Sequence, residues 1–363
     1  MANLSHLLER DLDHVLAHSG GAWESLRSAR IFLTGGTGFF GKWLLASSMH
    51  AHRKLGLESQ VVVLTRDVRA FREAHPEYAD LEPALSFHQG DVRTFAFPPG
   101  AFTHVIHAAT AASAKLNEGE PLLMVDTILE GTRRTLEFAR AAGAENFLFT
   151  SSGAVYGRQA LDVDRAPETE LRGPDPLAPG SAYGEAKRMA EHICATYQRQ
   201  CGIQVKIARC FAFVGPHLPL DAHFAIGNFI RDGLKGGPIR VRGDGTPLRS
   251  YLYAADLAVW LWTLLTQGPS LRPYNVGSDA SISMRELAEL LGGVFRVPVE
   301  IIGKAEGNLP PERYVPAVSR AECELGLRPW INLETAIDRT IHFHAAHAGS
   351  TRAASKARRG EQT

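Results

Sequence analysis

The sequence predicts an α/β protein built on a doubly wound parallel sheet. Three observations carry this. A short apolar run, Ile31-Phe32-Leu33, ends in Thr34-Gly35-Gly36-Thr37-Gly38-Phe39-Phe40-Gly41 and leads into a helical segment. Further strand-like runs then alternate with stretches of helical period, as parallel strands joined by crossover helices require. Segments rich in proline and glycine, at 157–181 and 215–247, suit loops at the sheet's carboxyl edge rather than its core.

The elements follow in order. Over residues 3–27, Leu4, Leu7, Leu8, Leu12, Val15 and Leu16 recur at helical spacing and predict a short amphipathic helix packed on the main domain. It has too few basic residues for a membrane-surface helix. The first strand ends at Leu33, and a helix follows over 41–51. Strands are expected over 60–64, 86–89, 103–107 and 146–150, with a helix over 121–142 between the last two. From about 345 the chain is rich in small residues and carries Arg352, Lys356, Arg358 and Arg359, which reads as a disordered tail.

The 363 residues carry 39 basic and 39 acidic side chains, for a formal net charge of +0. That balance gives no global attraction to nucleic acid or to anionic membranes. No apolar stretch has signal-peptide or membrane-span length, and the run over 258–265 is short and bracketed by Asp256 and Gln267. Cys194, Cys201, Cys210 and Cys323 show neither CxxC pairing nor zinc spacing. They read as reduced thiols of a cytoplasmic protein with no metal site.

Gly35-x-x-Gly38-x-x-Gly41 between a strand and a helix is a dinucleotide-binding turn. Glycine permits the tight turn and lets backbone N–H groups approach a pyrophosphate at the helix N-terminus. Thr37, Phe39 and Phe40 belong to the same cradle. The second strand ends Val63-Leu64-Thr65-Arg66-Asp67, where NAD-preferring folds usually place an acid against the ribose. Arg66 stands in that neighbourhood and leans the cofactor toward NADP within NAD(P). Asp91, followed by Val92, is placed to accept from the adenine amino group; its alternative is a helix N-cap.

Tyr183 and Lys187 lie four residues apart on a helix-permissive segment, so they share a face. An ammonium beside a phenol favours phenolate, which makes Tyr183 a candidate acid or base. Thr150-Ser151-Ser152 follows a strand, and Ser152, with Ser151 as alternate, is the third candidate.

Together these motifs resemble the extended short-chain dehydrogenases that modify nucleotide-activated sugars. The resemblance covers about residues 28–343 and also rests on His107-Ala108-Ala109-Thr110, on 150–157, on 209–216 and on 243–256. It implies a Rossmann-type domain over 28–209 plus about 250–272, binding NAD(P) with Ala108, Ala109 and Thr110 among its contacts. It implies a smaller, discontinuous substrate domain over 210–249 and 273–344, holding a nucleoside-diphosphate sugar, and a homodimer. Residues 1–27 and 345–363 fall outside both. On that pattern Arg249 contacts the diphosphate, Arg313 is a second candidate, and Asn228 and Phe229 line the nucleotide pocket.

The departures narrow the chemistry. The family's 4,6-dehydratases carry Asp-Glu directly after the catalytic hydroxyl residue, and its decarboxylases carry Glu at the second of those positions. This chain has Gly153 and Ala154, neither of which can move a proton. Members often have Asn where Ala212 stands. The expected reaction is hydride transfer at a sugar carbon, C4, giving epimerisation or keto-sugar reduction. The alternatives are a dehydratase that draws its acid from Glu185 or Glu118, a non-sugar carbonyl reductase, and, last, a non-catalytic NAD(P)-binding protein.

Overall fold

The computed structural model describes residues 2–78, 81–110, 114–222, 224–304 and 310–360. Strands β1 (Arg30–Thr34), β2 (Gln60–Thr65), β3 (Leu85–Gln89), β4 (His104–His107), β5 (Asn146–Ser152) and β6 (Gln204–Cys210) form a parallel sheet in the order 3-2-1-4-5-6. The strand Pro273–Val276 adds a seventh beside β6. The order reverses between β1 and β4, which opens a crevice at their carboxyl ends.

Both faces of the sheet are covered because successive strand residues point to opposite sides. Ile31, Leu33, Val61, Val63, Ile106 and Leu148 pack with Trp43 and Leu44 of the helix Phe39–Leu55 and with the helix Ala254–Gln267. Phe32, Val62, Leu64, Val105, Phe147 and Phe149 pack instead with Met124, Ile128 and Phe138 of the helix Pro121–Ala141 and with Ala186 and Ala190 of the helix Ala182–Cys201. The helix Ala254–Gln267 is buried without a break from Ala254 to Leu265, so its apolar run is core. No described helix is long and apolar enough to cross a membrane.

Two boundaries differ from the sequence reading. Pro273–Val276 belongs to the main sheet, because the helix Ala254–Gln267 is a crossover that returns the chain beside β6. The smaller lobe therefore resumes after Val276 rather than at 273. The last helix runs Leu333–Gly360, past the point where a disordered tail is expected. Its alanines, lysine and arginines are strong helix formers. The side chains of Arg352, Lys356, Arg358 and Arg359, and residues 361–363, lie outside the described residues.

The smaller lobe holds a three-stranded sheet of Ser281–Ser283, Leu248–Ser250 and Arg313–Tyr314, with the helices Ala225–Leu234 and Met284–Phe295. The first helix, Ala2–His18, buries Leu12 and Val15 against the core, and the side chains of Leu4 and Leu7 lie outside the described residues. Its buried Asp11 accepts hydrogen bonds from the Tyr253 hydroxyl and from Arg339 of the last helix. The first and last described helices thus meet at Asp11, beside the Tyr253 hydroxyl at the N-cap of the helix Ala254–Gln267.

Candidate active site

The glycine turn closes down to bare backbone. Gly35 has φ +74°, and a Cβ there would stand 2.5 Å from the Ala108 carbonyl. A Cβ on Gly41 would stand 2.3 Å from the Gly35 oxygen. Only glycine fits either position. The turn delivers Gly38, Phe39 and Phe40 to the wall of a cavity of about 660 Å³, at the N-terminus of the helix Phe39–Leu55. The first N–H groups of that helix have no partner within it and add positive potential to the cradle. Gly41 is buried beneath the turn, and Thr37 is half-buried within it.

Strand β4 is braced against this turn by a buried imidazole. His107 Nδ1 lies 2.8 Å from Thr34 Oγ1, and Nε2 lies 3.1 Å from Thr132 Oγ1. Burial pushes its pKa down to about 3, which keeps the ring neutral. Ala109 N–H donates to the same Thr34 hydroxyl, while Ala108 and Thr110 line the cavity. Further out, Arg66 is exposed just beyond β2, and Asp67 is committed to capping the next helix through Ala70 N–H. The Asp91 carboxylate is held by the Arg93 guanidinium and backbone N–H, closing its own turn rather than capping a helix. Val92 packs toward Gly131.

The proton-transfer candidates meet at the other side of the same cavity. Ser152 is the last residue of β5, and Tyr183 and Lys187 sit in the first turns of the helix Ala182–Cys201. All three line the cavity. Lys187 is buried, donates to the Thr150 carbonyl at 2.8 Å, and lies 5.9 Å from the centre of the Tyr183 ring. Burial lowers its pKa to about 8. Burial likewise pushes the Tyr183 phenol up to about 12, and a hydrogen bond to Ser152 opposes the rise. Ser151 differs from Ser152, since its hydroxyl donates to Glu191 at 2.6 Å. Glu191 is in turn gripped by Arg209 at 2.7 Å, and Arg209 reaches Tyr156. Ser151 is therefore a bracing group, and Ser152 is the hydroxyl facing Tyr183.

Arg249 lines this cavity and an adjoining one of about 510 Å³, where Asn228 and Phe229 also lie. Its guanidinium is steadied by the Leu248 carbonyl at 2.9 Å and the Glu312 carboxylate at 2.6 Å. Asn228 accepts from Arg231, which pairs at 2.9 Å with Asp232 of the same wall; Arg240, paired with Glu300 at 3.0 Å, and Arg242 also line the second chamber, and the sequence reading did not single these groups out. Arg313 lines neither cavity and pairs with Asp164. Its strand neighbour Tyr314 lines the first cavity instead, because adjacent strand residues face opposite ways. The signal for Tyr314 was that parity. Glu185 and Glu118 line neither cavity, and among the described residues no Asp or Glu lines the first.

The model of the NAD dependent epimerase/dehydratase family matches residues 31–277. The chain belongs to this family. Among curated family relatives, UDP-glucuronic acid decarboxylase 6 of Arabidopsis thaliana is 30% identical over 308 residues, covering 84% of this chain and 85% of that protein. Among solved structures, the DesIV dTDP-glucose 4,6-dehydratase of Streptomyces venezuelae, with NAD bound, is 25% identical with a TM-score of 0.75, covering 88% of this chain and 98% of the other. A UDP-glucose 4-epimerase of Thermus thermophilus, in complex with NAD, is 27% identical with a TM-score of 0.69, covering 86% and 98%.

Proposed function

We propose that this chain is an NAD(P)-dependent nucleotide-sugar enzyme that transfers hydride at a single sugar carbon, C4, giving epimerisation or keto-sugar reduction. One observation carries the reading. Tyr183, Lys187 and Ser152 converge in a cavity that contains the glycine turn and, among the described residues, no carboxylate. Dehydration needs a second acid and base at the neighbouring carbons, and this wall offers neither. The glycine turn fits a dinucleotide, since Gly35 and Gly41 let the backbone close tightly on Ala108 and on itself and so present the bare turn and the helix N-terminus to the cavity.

NAD(P), when bound, accepts or supplies the hydride. Tyr183 exchanges the proton of the sugar hydroxyl through its phenol oxygen. The Lys187 ammonium, 5.9 Å from the centre of that ring, supplies the positive charge that a phenolate needs nearby, and the Ser152 hydrogen bond opposes the rise set by burial. Ser152 orients the reacting oxygen. Arg249 and the arginines of the second chamber suit a diphosphate and its nucleoside. Exposed Arg66, with Asp67 occupied elsewhere, favours NADP over NAD.

A panel of nucleotide sugars that includes UDP-glucose, UDP-glucuronic acid and their 4-keto forms tests the reading. Epimer formed without net change in cofactor, or reduced cofactor consumed in proportion to product, supports it. Loss of water or of carbon dioxide as the main reaction overturns it in favour of dehydration or of the decarboxylation named for the Arabidopsis relative. Tyr183→Phe abolishes turnover on this reading while leaving cofactor binding intact.

A further inference from the structure

Ser152 has a second phenol neighbour besides Tyr183. Tyr314 reaches across from the smaller lobe, and its hydroxyl lies 3.5 Å from Ser152 Oγ. The approach depends on Gly153, because a Cβ there would stand 2.8 Å from the Tyr314 oxygen and 2.7 Å from Phe211, on whose ring Tyr314 packs at 4.7 Å. The phenol thus fills the space that a side chain at 153 would take.

A serine hydroxyl has one hydrogen to give and two lone pairs to fill. One lone pair of Ser152 accepts from Ala154 N–H at 3.1 Å. Among the described residues, Ser152 is the hydrogen-bond partner of the Tyr314 hydroxyl. The Ser152 hydroxyl also bonds Tyr183, and its one hydrogen cannot serve both phenols; Tyr183, the phenol that must become phenolate, is the acceptor. Tyr314 therefore donates and fills the second lone pair. The single Ser152 hydrogen then has one direction left, toward Tyr183 and the reacting oxygen. Burial raises the Tyr314 pKa above the ordinary phenol range, so it stays protonated and keeps donating. The 3.5 Å separation is long, as catalytic hydrogen bonds commonly are before substrate closes the site.

We infer that Tyr314 is a positioning residue that acts through Ser152, fixing that hydroxyl as a donor, to the Tyr183 oxygen in the free enzyme and to the sugar oxygen once substrate is bound. The second half of this role rests on the hydride-transfer reading above; the first does not.

The test is a tyrosinate absorbance titration of NAD⁺-loaded protein, with the Tyr183 transition identified by its loss in Tyr183→Phe. Tyr314→Phe keeps the ring on Phe211 and removes only the hydroxyl. It should move the Tyr183 midpoint up by about one pH unit, because the phenolate loses an oriented donor. Ser152→Ala should move it at least as far, and the double variant no further than Ser152→Ala. On a nucleotide sugar that wild type turns over, Tyr314→Phe should lower kcat about tenfold with KM unchanged. An unchanged Tyr183 midpoint in Tyr314→Phe, or additive shifts in the double variant, overturns the inference. The titration needs no sugar, so it can fail while the nucleotide-sugar reading stands, or succeed while the panel shows no turnover.

Discussion

Replacing Lys187 with methionine separates what the residue does for the fold from what it does for chemistry. The side chain is 2% exposed, and burial takes its pKa from 10.5 to about 8. At about 1.36 kcal/mol per pH unit, holding that ammonium charged inside the fold costs on the order of 3 kcal/mol at neutral pH. Lys187→Met removes this cost and keeps the stem. It also leaves the Thr150 carbonyl without its donor, a loss of about 1–3 kcal/mol. The balance runs from neutral to about 2 kcal/mol of stabilisation, or up to about 3 °C in Tm for a chain of this length. Turnover falls in the same variant by about 10²-fold or more. The pH dependence has a definite sign. Between about 8 and 10.5 the unfolded chain binds a proton at Lys187 that the folded chain does not. Wild type therefore gains on the variant as pH rises through that window. Scanning calorimetry of both proteins at pH 7 and pH 10 measures the gap. A variant that melts several degrees below wild type at pH 7, or a gap that ignores pH, refutes the view of Lys187 as a charge held in the core for catalysis.

Other substitutions probe the remaining roles. Arg249→Ala should raise KM for nucleotide sugar about 10- to 100-fold, the loss of a charge-assisted contact, with cofactor affinity unchanged; equal KM values would remove the diphosphate contact. Arg66→Ala should weaken NADPH binding far more than NADH binding, read by cofactor fluorescence, and equal effects would remove the preference. Ser152→Ala should cost rate with little change in Tm. Ser151→Ala should cost about 1 kcal/mol of stability through Glu191 with a smaller effect on rate, and the reverse pattern would exchange the two serines.

Local spacing was legible in the sequence; long-range pairing was not. The glycine turn, the Tyr183/Lys187 pair and the strand end at Ser152 each depend on neighbours within a few residues, and the periods of helix and strand display them. The choice between Ser151 and Ser152 needed Glu191, a helix away, to show which hydroxyl was already committed. Two strands of the sheet, β6 and Pro273–Val276, were not read from the sequence, and the second pairs with the first only across a crossover. Tyr314 stands 162 residues from Ser152 along the chain, and one position of strand parity separates it from Arg313, which faces Asp164. The parity is local to the strand, but the reach across 162 residues to Ser152 lies in no window of sequence.

Arg249 belongs to the walls of both chambers. A ligand that spans them passes beneath one guanidinium, with its reactive end at Ser152 and its remote end among Asn228 and Phe229. The protein then measures length as well as chemistry. Grip on the distant portion can be spent on holding the near portion still, so a shortened ligand loses speed at the reacting carbon and not merely residence. A free sugar, small enough to enter the first chamber alone, would arrive untethered and tumble past the phenol.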